Sequence, residues 1–156
     1  MAELKNILKE EEGDKYQALL ELNIRIAEKL DPSIVDLDTI LSPTEICVLL
    51  ICSIDVQVCN GGYDQYFYYS GSHVLETINA IKQVGLDDLL ANYIEALNVF
   101  PDGIVPKEDS VRQSIMDQFT DDQRDKLNQL SDRYYEINDP EALFDFAFKH
   151  QNEIMV

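Results

Sequence analysis

Three kinds of side chain in this sequence could do chemistry: two histidines, three thiols and a large excess of carboxylates. His73 and His150 stand far apart. Neither falls in a spaced cluster with Cys or carboxylates of the kind a metal site needs. Cys47, Cys52 and Cys59 share one apolar stretch. The separation of Cys47 and Cys52 points them to different faces of a helix, and an odd count on one element gives no disulfide framework. They read as buried thiols acting as small apolar side chains. The sequence has no Gly-rich phosphate loop, no nucleophile elbow and no His-Glu-x-x-His. Glu45 and Asp55 could pair as buried carboxylates, but they lie far apart along one segment. Asp55, a lone acid in an apolar run, is expected at a rim or paired with Lys82 or Arg112. No catalytic residue, metal or cofactor is assigned, and the expectation is a protein that is not an enzyme.

The carboxylates are more informative. Thirty acidic residues face twelve basic ones, for a net charge of −18 and a pI near 4.2. Phosphates are held by Lys and Arg, so this balance argues against direct binding of nucleic acid or an anionic membrane. It favours basic partners through steering, although solubility alone is served by the same charge. On a helix from Asp121 to Asn138, Asp121, Asp125, Asp132 and Glu136 fall within about 60° of one another. Leu127, Leu130, Tyr134 and Ile137 take the opposite side. The carboxylates then form a stripe roughly 22 Å long, comparable with several phosphates along one DNA strand. Asp121 and Asp122 suit a helix N-terminus, but Asp132 and Glu136 lie where the macrodipole disfavours them. Arg124, Lys126 and Arg133 flank the stripe and could neutralise part of it. Glu10, Glu11, Glu12 and Asp14 make a second candidate patch.

The element that organises the chain runs from Ser42 to Gly71. Between Ile46 and Cys59 the only charge is Asp55. Apolar residues fall on every side of a helical wheel, as in a buried helix. Ser42-Pro43-Thr44-Glu45 reads as a capping box with Pro at the first helical position. Asn60-Gly61-Gly62 supplies residues that tolerate positive φ, where this helix should stop. A short aromatic helix should follow, with Tyr63, Tyr66 and Phe67 on one face, packed on the central helix. Gln65 and Asn60 are expected to serve backbone groups in the Gly-Gly turn.

The block Asn60-Gly61-Gly62-Tyr63-Asp64-Gln65-Tyr66-Phe67, followed by Ser70 and Gly71, resembles the NGG(F/Y)xQ(F/Y)F signature of the DMP19-like, or DUF4375, family. Val84-Gly85, Phe100-Pro101-Asp102-Gly103, Pro106 and Arg112 continue the likeness, which covers about residues 42–119. Gln57, Cys59 and Tyr69 depart from the usual pattern, where Glu, Asn and Asn are commoner. The resemblance implies an all-α acidic protein. For the best understood member it also implies a DNA mimic that occupies the DNA-binding face of a regulatory protein.

Further helices are expected from Asp14 to Leu30, from Ser72 or His73 to Val84, from a cap at Asp87 to Leu97, and from a cap at Asp109 to Phe119. Two more should open at Thr120-Asp121-Asp122-Gln123, a second capping box, and at Asp139-Pro140. The inward faces should include Val74, Leu75, Ile78 and Ile81, then Leu89, Leu90, Tyr93, Ile94 and Leu97. The fold expected is all-α, a single compact domain over residues 1–156, with about seven to nine helices around the buried central helix. That helix is expected to be too short to cross a bilayer, and the acidic N-terminus is unlike a secretory signal, so a cytoplasmic protein is expected. The functional expectation is a DNA-mimic regulator whose partner is a basic nucleic-acid-binding protein; a homodimer is compatible with it. Two alternatives stand beside it. One is an immunity-type inhibitor of a basic nuclease toxin. The other is a small-molecule-binding protein or enzyme that uses the aromatic turn Asn60 to Tyr69.

Overall fold

The computed structural model describes residues 14–31 and 36–156. Glu10, Glu11 and Glu12 of the second candidate patch therefore lie outside the described residues. The fold is all-α. Among the described residues there are seven α-helices: α1 (Lys15–Ala27), α2 (Pro43–Ser70), α3 (Val74–Val84), α4 (Asp87–Leu97), α5 (Asp109–Met116), α6 (Asp121–Ile137) and α7 (Pro140–Lys149). Three 3₁₀ turns, at Leu37–Thr39, Pro101–Gly103 and Gln151–Glu153, complete them, and no strand is present among these residues.

Short-range signals account for most boundaries. Asp14 caps α1 by accepting the N–H groups of Tyr16 and Gln17. Ser42 and Glu45 form the expected reciprocal cap on α2: the Glu45 N–H donates to Ser42 Oγ and the Ser42 N–H to Glu45 Oε2. Thr120 and Gln123 do the same for α6, and Asp139 caps α7 with Pro140 at its first position. Gly85 ends α3 at φ +83°.

Two expected caps are corrected. Leu86, not Asp87, is the N-cap of α4. Only Gly85 and Leu86 join α3 to α4, and the Leu86 N–H is spent on Ile81 O at the end of α3. Glu108, not Asp109, is the N-cap of α5, because the Asp109 carboxylate turns to Arg112 and Ser72 instead. Leu75 and Ile94, expected inward, are exposed.

The described chain divides into two compact units, one comprising residues up to Cys52 together with Asp139–Val156, the other Ser53–Asn138. In the first, α1 packs on α7. Leu19, Leu22 and Ile26 of α1 and Leu143, Phe144 and Ala147 of α7 are buried, as are Cys47, Val48 and Ile51 of α2. At its centre Glu45 is 0% exposed. It accepts two hydrogen bonds from Lys29 Nζ, at 2.8 and 2.9 Å, and one from the Met155 N–H. Thr44 donates to Glu153, so the start of α2 holds the turn after α7 at two points. Burial, reinforced by the negative charge of Glu153, pushes the Cys47 thiol up to about 11.

In the second unit α4 packs against α3 and α6. Its core is aromatic. Tyr63, Tyr66, Phe67, Tyr93, Phe100 and Tyr134 are all buried. Phe67 meets Tyr66 edge-on at 5.0 Å and Phe100 at 5.2 Å. Edge-to-face contacts of this kind suit the ring quadrupoles.

The central helix breaks where expected: Gly61 and Gly62 are non-helical, Gly62 at φ +72°, and a short aromatic helix follows, so Pro43–Ser70 is two helical arms joined across a kink. Counted across the kink, the 28 residues are long and apolar enough, by length and composition, to cross a membrane, where the expectation was a helix too short to do so. A core helix meets the same description, and Val48, Ile51, Ile54 and Val58 along it are buried.

Candidate partner-binding surface

The helix α6 is fixed on its inner side by apolar packing and by side-chain hydrogen bonds. Leu127, Leu130 and Tyr134 are buried. Asn92 of α4, itself fully buried, donates to Leu130 O at 3.1 Å and accepts from the Tyr63 hydroxyl at 2.6 Å. Ser131 Oγ donates to Leu127 O and accepts the Tyr63 N–H at 2.9 Å. At the far end the Tyr134 hydroxyl and Asn138 Nδ2 both donate to Asp55 Oδ1, at 2.7 and 2.8 Å. Asp55 is thus buried, not at a rim, and Tyr134 and Asn138 donate to it. Burial, then the Asp55 charge, holds the Tyr134 phenol far above the usual tyrosine range. It stays a donor at any ordinary pH.

The outer side carries Asp121, Asp125, Asp132 and Glu136, all exposed. The structure places the four on one helix face, as the spacing requires. It also changes the expected role of the neighbouring cations. Arg124 Nη1 donates to both carboxylate oxygens of Asp64, at 3.0 and 2.9 Å, and its Nη2 to Met116 O. Lys126 pairs with Glu95 at 3.2 Å, and Arg133 approaches the same residue at 4.0 Å. These three cations face acids on α2 and α4. Among the described residues, no ion pair neutralises the stripe. Of the second patch, Asp14 is an exposed helix cap in the other unit.

The aromatic turn is a packing device. Gly62 has φ +72° and ψ −174°, a region open essentially to Gly. A Cβ there would meet Ser131 Oγ at 2.8 Å. Gln65, expected to serve the turn's backbone, instead donates from Nε2 to Gln57 Oε1 at 2.8 Å. That bond clips together the two arms of the kinked helix, with one end at a residue that departs from the family pattern. Asn60 is exposed. Tyr63, Tyr66 and Phe67 are buried in the core.

A second knot lies at the end of α2. Arg112 is 0% exposed. It donates to Phe67 O, Pro106 O, Lys107 O and the Asp109 carboxylate. Gly71 gives it room, since a Cβ there would stand 2.9 Å from Arg112 Nε and 2.8 Å from Phe67 O. Arg112 also holds the Asp109 carboxyl below the usual range.

Other sites offer less chemistry. Cys59, expected to be buried, is exposed. Its thiol is raised by partial burial and by Asp55, which lowers its reactivity. A surface groove of about 360 Å³ is lined by Glu95, Asn98, Val99, Asp122, Gln123 and Lys126. None of the Asn60–Phe67 residues is among them. Among the described residues no three His, Cys, Asp or Glu stand together as metal ligands.

Sequence reasoning missed Ser131, Asn92 and Tyr134 as the groups that hold α6 in place. A signal for two of them was present: Ser131 and Asn92 are polar residues on otherwise apolar helix faces, and buried polar side chains are nearly always hydrogen-bonded.

A protein-family model described as DMP19-like protein matches residues 40–151. The match runs beyond the 42–119 core through α6 and α7. No curated protein and no solved structure matches the chain.

Proposed function

The chain belongs to the DMP19-like protein family, and from that membership together with the carboxylates of α6 we propose that it acts as a DNA mimic. Asp121, Asp125, Asp132 and Glu136 stand in for phosphates and occupy the basic groove of a nucleic-acid-binding protein. The action is occlusion, with no bond made or broken. A regulatory role follows, because a partner so occupied is withheld from its own nucleic acid.

The observation that carries this reading is the diversion of Arg124, Lys126 and Arg133 to Asp64 and Glu95. A face built only for solubility could use those cations to quench its own repulsion. Here they brace α6 against its neighbours and leave the outward charge intact. Rigidity supports the same reading. Asp55, Asn92 and Ser131 fix the inner side of the helix, so little ordering cost remains for the outer side on binding.

The test is capture from cell extract on the immobilised protein, followed by association kinetics with the recovered partner at several salt concentrations. Association should slow steeply with salt, since exposed charges are screened over roughly 8–10 Å. Exchanging Asp125 and Asp132 together for Asn should lower the on-rate more than it raises the off-rate. A partner with no affinity for nucleic acid would overturn the reading.

A further inference from the structure

Beside the stripe stands an aromatic ring that the fold leaves outside. Tyr135 is 57% exposed, although it adjoins the buried Tyr134, whose ring it meets edge-on at 6.2 Å. It is not a loose surface residue. Its hydroxyl donates to Val58 O at 3.3 Å, so the side chain is tethered to α2 while more than half of the residue stays exposed. On α6 it lies one turn from Asp132, at the spacing that makes side chains neighbours. At 100° per residue it borders the carboxylate stripe directly.

We infer that Tyr135 and Asp132 together form an arginine-recognition site, and that the partner of this face presents arginine in preference to lysine. The inference rests on the reading of α6 as a binding face and specifies the chemistry of what binds. A guanidinium is planar. It can lie over the Tyr135 ring while its N–H groups donate to the Asp132 carboxylate. A lysine ammonium is a compact, strongly hydrated charge and gains less from the pair. Fixed, exposed tyrosines amid polar groups are the usual anchors of protein interfaces, since they offer large contact area at little entropic cost. Charge decides the class of occupant. With a net charge of −18, this face repels a second copy of the chain, an anionic membrane and nucleic acid itself.

The test uses defined probes, so it does not depend on identifying the natural partner. Oligo-arginine and oligo-lysine peptides of equal length are titrated against the full chain and the variants Tyr135→Leu, Tyr135→Phe and Asp132→Asn. Circular dichroism verifies the fold of each. Wild type should bind the arginine peptide more tightly, with roughly two- to fivefold of the difference owed to the ring. Tyr135→Leu should lose that part of the preference while still binding both peptides, and Tyr135→Phe should keep it. Asp132→Asn should weaken both. An arginine-to-lysine ratio unchanged in folded Tyr135→Leu would overturn the inference and leave the DNA-mimic reading standing. Failure to displace nucleic acid from a partner would sink that reading and leave the peptide result untouched.

Discussion

The hydroxyl of Ser131 accepts the N–H of Tyr63 at 2.9 Å across 68 residues of sequence. One side chain of α6 thereby caps the second arm of the kinked helix α2, where Gly62 at φ +72° has broken the helical ladder. Ser131→Ala strands that N–H in the core. The expected loss is about 1–2 kcal/mol, the scale of a removed N-cap. Gly62→Val should cost about 1–3 kcal/mol, from the left-handed backbone and from the collision with Ser131. Thermal unfolding measures both. A Gly62→Val protein melting with wild type would show that the turn does not depend on glycine.

The bond between Tyr134 and Asp55 gives a second expectation. Tyr134→Phe keeps the ring and removes one of the donors to a buried carboxylate. Leaving a buried polar group short of a partner costs about 1–3 kcal/mol. Asp55→Ala should be worse, since it strands both the phenol and the Asn138 amide. Chemical denaturation midpoints should fall in that order; equal midpoints for Tyr134→Phe and wild type would remove Asp55 from the support of α6.

Acid should act through Glu45. Burial pushes its carboxyl upward, but Lys29 and the N–H groups of Ser42 and Met155 outweigh that and hold it below its ordinary value of 4.5. A depressed folded value means stability that is present above the unfolded value and lost as pH falls through the folded one. Wild type should therefore lose stability from about pH 4.5 downward. Glu45→Gln should be less stable than wild type at neutral pH by about 3 kcal/mol, because Lys29 is left without its buried partner. Its stability should also change less on acidification. Parallel pH profiles for the two proteins would contradict this role.

The sequence carried the helical class, the caps at Ser42, Thr120 and Asp139, and the face shared by Asp121, Asp125, Asp132 and Glu136, because each depends on residues within a turn or two of each other. It carried less where distant side chains decide. Asp55 sits among apolar neighbours, and nothing local says that Tyr134 and Asn138 will meet it. Arg124, Lys126 and Arg133 flank the stripe in sequence, yet Asp64 and Glu95 on other helices hold them. The break at Gly61-Gly62 is local in cause and was legible in the glycines, but the cap that Ser131 places on the arm after it comes from a distant helix. Leu75 and Ile94 show the opposite limit: apolar residues occupy faces that the packing leaves to solvent.

The stripe itself should be nearly silent in folding. Asp125→Asn combined with Asp132→Asn alters exposed side chains that brace no other element among the described residues, so stability should stay within about 0.5 kcal/mol of wild type. A marked loss in the double variant would mean that these carboxylates serve the scaffold.

Competition tests the mimic most directly. A preformed complex of the captured partner with labelled duplex DNA is titrated with wild type and with the Asp125→Asn, Asp132→Asn double variant, and the bound label is followed by fluorescence anisotropy. Mimicry predicts that wild type releases the DNA and that the folded double variant releases far less at the same concentration. A ternary complex that keeps its DNA while binding this protein would contradict it.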